Sequence, residues 1–159
     1  MKVLIVHSGN AVRGNSERYT FVREQGESLR MLGIEVKYFA VVGKGVKGYL
    51  SNYRRLQLAI KVFQPNLIHA HFGLCGALCV MQSKVPVVIT CHNGETLSWY
   101  GNIITSLAGQ RAAHTICVAQ HIYDKLYLKP KKYTIKPCGI EITDVIEKTT
   151  AQQAMNLPM

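Results

Sequence analysis

The stretch Pro65-Asn66-Leu67-Ile68-His69-Ala70-His71-Phe72-Gly73 decides the fold. Pro65 stops a helix whose apolar stripe, Tyr53, Leu56, Ile60 and Phe63, recurs at helical spacing. Leu67 to His71 then reads as a short buried strand, and a helix of small residues follows from about Leu74 to Ser83. A helix, a strand and a helix in so short a run form the unit from which parallel sheets are built.

The same rhythm extends both ways. Val3 to His7 is a continuous apolar run suited to a buried strand. Ser8 to Asn15 is a polar loop with Gly9 and Gly14, and Ser16 is placed to cap the next helix. Tyr19, Val22, Gly26 and Leu29 mark that helix, and Gly33 ends it. Glu35 to Val42 is a second strand, after which Gly43, Gly45 and Gly48 punctuate an expected loop. Beyond Ser83 come a strand over Pro86 to Thr90, a loop over His92 to Glu95 and a helix over Leu97 to Ala112. A strand over Thr115 to Val118, a helix over Gln120 to Leu128 and a strand over Tyr133 to Lys136 complete the series. Six strands alternating with helices imply an α/β fold: a parallel sheet with helices on both faces.

At 159 residues and 48% hydrophobic content the chain is one domain's worth with a single core. Its net charge is +10, and no acidic residue occurs from Val36 to Gly94. That stretch carries Lys37, Lys44, Lys47, Arg54, Arg55, Lys61 and Lys84. A flank so charged favours phosphates or anionic lipid, unless it is simply a solvated basic face. Nucleic acid is not the expected partner, since the basic run sits in no recognised nucleic-acid module. The five cysteines form no CxxC pair, which reads as thiols in a reducing cytoplasm. Cys75 and Cys79, four apart on a helix, read as core rather than metal ligands. Met1 to Val6 is too short for a secretory leader core. No apolar run approaches the ~18 residues of a membrane span.

In an open parallel sheet, ligands bind beyond the carboxyl ends of the strands. Three loops gather there: Ser8 to Asn15, His71 to Leu74 and Cys91 to Glu95. Gly9 and Gly14, between a strand and a helix N-terminus, suit either a diphosphate or an ordinary tight turn. His69 and His71 alternate onto one side of their strand. With His92 they would make a zinc set only if an acidic ligand joined them, and Glu95 is the only acid nearby. The reading preferred here is a packed His69 and a cleft-facing His71, with no metal. His92 would donate a hydrogen bond to a sugar hydroxyl and Glu95 would accept one, unless His92-Asn93-Gly94-Glu95 is merely a turn.

In series, these segments resemble glycosyltransferase family 4. The resemblance runs through strand one and its glycine loop, Pro65 to His71 and Pro86-Val87-Val88-Ile89-Thr90-Cys91-His92-Asn93-Gly94-Glu95. It continues through Ala113-His114-Thr115-Ile116-Cys117-Val118-Ala119 and Ile135-Lys136-Pro137-Cys138-Gly139-Ile140. It implies one Rossmann-like half of a GT-B architecture. Residues 1–141 would be the N-terminal, acceptor-binding domain. Residues 142–159 would be the linker and the opening helix of a truncated C-terminal domain. It further implies a retaining enzyme with no metal and no cofactor, whose substrates are a nucleotide-sugar donor and a glycan or lipid-linked acceptor. The isolated chain would be inactive without its missing C-terminal domain.

By position, the resemblance makes His92 the catalytic contact to the transferred sugar. Gly9, Gly14, Asn15, His71, Asn93 and Glu95 would be substrate-binding. Two loops depart from the family pattern. Arg13-Gly14-Asn15 stands where a Gly-Gly pair is usual, and His92-Asn93-Gly94-Glu95 where His-Gly-x-Asp is common. The resemblance also gives the basic flank a role, with Lys44, Lys47, Arg54 and Arg55 facing anionic lipid at the inner face of the membrane. The alternative is a stand-alone module that binds an anionic glycan or lipid, or recruits a separately encoded partner.

Overall fold

A computed structural model describes residues 1–9 and 20–139. The expectations for Gly14, Asn15, Ser16, Tyr19 and the linker segment 142–159 therefore lie outside the described residues. Strands β1 (Lys2–Ser8), β2 (Glu35–Val41), β3 (Leu67–His71), β4 (Val87–Cys91), β5 (His114–Cys117) and β6 (Tyr133–Ile135) form one sheet in the order β2-β1-β3-β4-β5-β6. Every neighbouring pair is parallel, and the register sets Val3 beside both Val36 and Leu67. Chain direction across the sheet reverses between β1 and β3. The order of strands across the sheet thus switches between β1 and β3, and in open parallel sheets ligands bind at such a point, beyond the carboxyl ends of the strands.

Helices lie on both faces. β1 alternates, sending Leu4 and Val6 to one face and Val3 and Ile5 to the other. The first face meets α3 (Tyr53–Phe63) through Leu56, Ile60 and Phe63, and α4 (Gly73–Cys79) through Cys75, Leu78 and Cys79. It also meets Ala108 of α5 (Trp99–Arg111) and Ile122 of α6 (Gln120–Lys125). The second face meets α1 (Thr20–Met31) through Val22, with Phe21 and Leu29 packed alongside. Cys91 and Cys117 join Cys75 and Cys79 as buried thiols, while Cys138 is exposed.

The region read as a glycine loop is instead a short helix, α2 (Gly45–Leu50). Gly43 has φ +117°, and a Cβ on it would sit 2.8 Å from the Gly48 Cα. The glycines serve close backbone approach there as well as the turn. Buried Asn52 then ties three elements together. Its amide Nδ2 donates to Val42 O at 2.8 Å and Gly48 O at 2.7 Å, and its Oδ1 accepts from Val42 N at 3.3 Å and Arg55 Nη1 at 2.9 Å. Asn52→Ala would strand these groups, and the expected loss is about 2 kcal/mol, read as a lower urea midpoint at unchanged m-value.

α4 and α5 pack most tightly at Gly73. A Cβ there would fall 1.8 Å from Thr105 Oγ1 and 2.5 Å from Thr105 Cβ, a side chain that is itself fully buried. Gly73→Ala must therefore push the two helices apart. The expected cost is about 2–3 kcal/mol by thermal unfolding. A wild-type melting temperature in that variant would show that the helix pair yields freely.

Candidate functional site

The carboxyl ends of β1, β3 and β4 bring His7, His71 and His92 to this edge of the sheet, as the strand-end argument requires. His69 and His71 alternate onto the same side of β3, with ring centroids 4.6 Å apart. His69 is buried, and its Nε2 shares a hydrogen bond with Thr90 Oγ1 at 2.7 Å. His71 is buried more deeply still, so the expected contrast between a packed His69 and a cleft-facing His71 does not hold, although His71 lines the larger depression. His71 Nδ1 lies 3.3 Å from His92 Nε2, and these two rings stack at 5.6 Å and 21°. His71 Nε2 is buried without a hydrogen-bond partner among the described residues.

Stacked rings do not converge on a point. Among the described residues no group of three His, Cys, Asp or Glu is arranged to hold a metal ion. The cluster is electrostatically neutral near pH 7. Burial, with the neighbouring His92, pulls the His69 pKa down to about 4. Burial and three neighbouring histidines pull His71 to about 2, and burial alone pulls His92 to about 4. A neutral pair has one N–H between the two facing nitrogens. Whichever ring donates, His92 is held in a fixed orientation.

Two aromatic residues absent from the sequence reading complete the wall. The Phe21 and Phe72 rings each lie 4.8 Å from the His92 ring. Phe72 occupies φ +74°, ψ 143°, a backbone state costly for a bulky side chain. Its ring packing against His92 and Phe21 is what holds it there. No pattern in the sequence announces this, because Phe carries no preference for positive φ.

Residues of this cluster line two depressions, Phe21, His71 and His92 the one and Phe72 the other. The larger, about 720 Å³, is lined by Phe21, His71, Thr90 and His92, by polar and charged residues of α1 such as Arg23, Glu24 and Glu27, and by Cys138 and Gly139. The smaller, about 250 Å³, is lined by Ser8, Tyr49, Phe72, Gly94, Ser98 and Tyr100. Aromatic faces interleaved with hydroxyls suit a carbohydrate.

The other expected site residues fare unevenly. Gly9 directly follows β1, but its N–H donates to Val41 O at 2.6 Å, so that amide is not offered to a phosphate. A Cβ there would lie 3.0 Å from the Ala40 Cβ, so close packing is its reason to be glycine. Asn93 and Glu95 form a 3-10 turn, Asn93–Thr96, in which Asn93 is exposed. On the basic flank Lys44, Lys47, Arg54 and Arg55 are all exposed. Arg55 is partly engaged: besides its bond to Asn52 it stacks over the Phe39 ring at 5.4 Å.

Comparison with known proteins adds to this geometry. Residues 17–144 match the model of Glycosyltransferase Family 4. Sucrose-phosphate synthase from Thermosynechococcus elongatus superposes with a TM-score of 0.76 at 14% identity, over 99% of this chain and 53% of that one. The chain thus spans about half the length of that structure, and the likeness shows the fold: a Rossmann-like sheet forming one half of a GT-B architecture. A structure of 1,3-propanediol oxidoreductase aligns over 57% of this chain and 28% of that one at 19% identity, with a TM-score of 0.35, too low to carry an argument. No curated protein matches the chain.

Proposed function

This chain belongs to glycosyltransferase family 4, and from that premise we propose that it is the acceptor-binding domain of a retaining sugar transferase. The donor is a nucleotide sugar and the acceptor a glycan or a lipid-linked saccharide, with neither metal nor cofactor required. Residues 1–141 form this domain, and 142–159 lead into a donor-binding domain that must join it for turnover.

The observation that carries this reading is the His71–His92 pair in the wall of the larger depression, at the carboxyl ends of the strands. His92 is the catalytic residue. Its neutral imidazole places one polar group against the transferred sugar. It works by orientation and by stabilising charge that develops as the glycosidic bond to the diphosphate breaks. His71 positions His92 through its Nδ1 contact. The smaller depression, with Tyr49, Tyr100, Ser98 and Gly94, takes the acceptor. Gly9, Asn93 and Glu95, with Gly14 and Asn15 by the family pattern alone, are the further substrate-binding residues of this proposal.

The test is transfer from a panel of nucleotide sugars by this domain joined to its donor-binding half, with and without EDTA. Donor-dependent, EDTA-resistant transfer with retained anomeric configuration supports the reading. Metal-dependent or inverting transfer would overturn it. The exposed Lys44, Lys47 and Arg54 favour a second reading, a module that binds anionic glycan or lipid without turnover. Saturable binding of such a ligand by the joined protein, with no transfer from any donor, would select it.

A further inference from the structure

α5 is built inside out. A helix on a sheet ordinarily turns its apolar stripe inward and its polar residues to water. Here the inward face is Gly101, Asn102, Thr105, Ser106, Ala108 and Gly109. The outward face carries Trp99, 70% exposed, with Tyr100, Ile103 and Leu107, 52% exposed, and Leu97 just before the helix is 78% exposed. The inversion follows from packing. The close approach of Gly73 to Thr105 admits only small side chains on the inner side. The outer apolar residues therefore contribute nothing to the core.

A ridge from Lys125 to Pro130 widens this face. Asn102 Nδ2 donates to Lys125 O at 2.7 Å and its Oδ1 accepts from Tyr127 N at 3.0 Å. Further along, Gln110 Nε2 donates to Lys129 O, and Gly109 lies against Pro130. The ridge is thus tied to α5 through Asn102, Gln110 and Gly109, and it carries two further exposed apolar residues, Tyr127 and Leu128. The rim is basic. From residue 96 to 139 the chain has six lysines and arginines and one acid, Asp124, whose Oδ1 accepts from Gln120. Arg111, Lys125, Lys131 and Lys132 are exposed.

We propose that this face of α5 and the adjoining ridge dock on an anionic lipid bilayer. A contiguous apolar face holding the chain's single tryptophan, edged by cations, matches the acyl–headgroup boundary of such a membrane. The basic rim complements anionic headgroups. A second copy is a poor occupant, since it brings the same basic rim and another +10 of charge. The described helices include none long and apolar enough to span a bilayer, so the attachment is peripheral.

Docking also gives the acceptor a place. Tyr100 belongs to the exposed face and lines the smaller depression with Ser98 and Gly101. The depression therefore opens at the edge of the lipid surface, within reach of a saccharide whose tail stays in the bilayer. This last step rests on the proposed transfer reaction, whereas the docking itself does not.

The experiment uses the purified 159-residue chain and vesicles of phosphatidylglycerol mixed with phosphatidylcholine, or of phosphatidylcholine alone, with no sugar donor present. Trp99, the only tryptophan, reports directly. Its emission should shift to the blue on the anionic vesicles, and the chain should pellet with them. Ile103→Glu with Leu107→Glu should weaken pelleting by about tenfold or more. Leu58→Glu, on the exposed side of α3 at 62% exposure, should leave it unchanged. No emission shift on anionic vesicles would overturn the proposal. So would loss of binding in the α3 variant with retention in the α5 variant, or a shift caused by dimerisation without lipid. Vesicle binding that persists in a protein without transferase activity would remove the proposed reaction and leave the docking face standing.

Discussion

His92→Ala is expected to lower kcat of the joined, two-domain protein by roughly 10²–10³-fold, the usual cost of deleting one pre-oriented polar contact to a transition state. The size of the effect comes from how firmly the ring is held. His71 fixes one edge at 3.3 Å, and Phe21 and Phe72 flank it at 4.8 Å. A group that is already oriented loses no freedom when the sugar arrives, so its contribution appears in kcat more than in KM. His92→Gln keeps a hydrogen-bonding group near the same place and should recover part of the loss. His71→Gln should give an intermediate defect, because it loosens His92 without removing it. Full turnover in His92→Ala, with an unchanged urea midpoint at pH 7.5, would remove His92 from the reaction.

The domain is expected to lose stability steeply below about pH 6.5, the ordinary pKa of histidine. The sign follows from the direction of the shifts. His69, His71 and His92 all titrate below that value in the folded chain, at about 4, about 2 and about 4, chiefly because burial disfavours the charged ring. Between the unfolded and folded values the unfolded chain binds more protons, so acid favours unfolding. Their contribution is complete above pH 6.5 and declines as the pH falls toward each folded value. Each histidine costs about 1.4 kcal/mol per pH unit across that window. By pH 5 the combined loss is about 6 kcal/mol, enough to unfold a domain at the lower end of the usual range of roughly 5–15 kcal/mol. Urea titrations at pH 7.5, 6.5, 5.5 and 4.5 measure the slope. His71→Gln should flatten it, since one uptake site is gone. A stability independent of pH from 7.5 to 5 would mean that the cluster accepts protons without opening.

The two expectations pull on the same residues. The burial that lowers the pKa values of these histidines also strengthens a polar contact made there to substrate. Neutrality near pH 7 is thus part of the design: a neutral ring can both accept from its neighbour and donate to a sugar.

The sheet was legible because buried parallel strands are written as short continuous apolar runs. Leu67–His71 is bounded as expected, with Pro65 closing the preceding helix and Phe72-Gly73 opening the next. α3 was equally legible, since its stripe of Leu56, Ile60 and Phe63 is the buried one. α2 was not. Glycine signals a turn in a local reading, yet Gly43 and Gly48 also touch each other, a contact visible only once both are folded. α5 was recognised as a helix, but composition could not say which side it buries. In the folded chain its small residues face inward and its large apolar ones outward.

The sequence by itself determined the class of fold, the strand ends where chemistry gathers and the histidines that reach them. Those follow from periods of two and of three to four residues, which are local properties of the backbone. Only the tertiary structure decided that His71 clasps His92, that Phe72 accepts a costly backbone angle to wall the site, and that α5 shows its apolar side to the outside. Each depends on contacts between segments distant in the chain, and close packing, rather than any local preference, selects them.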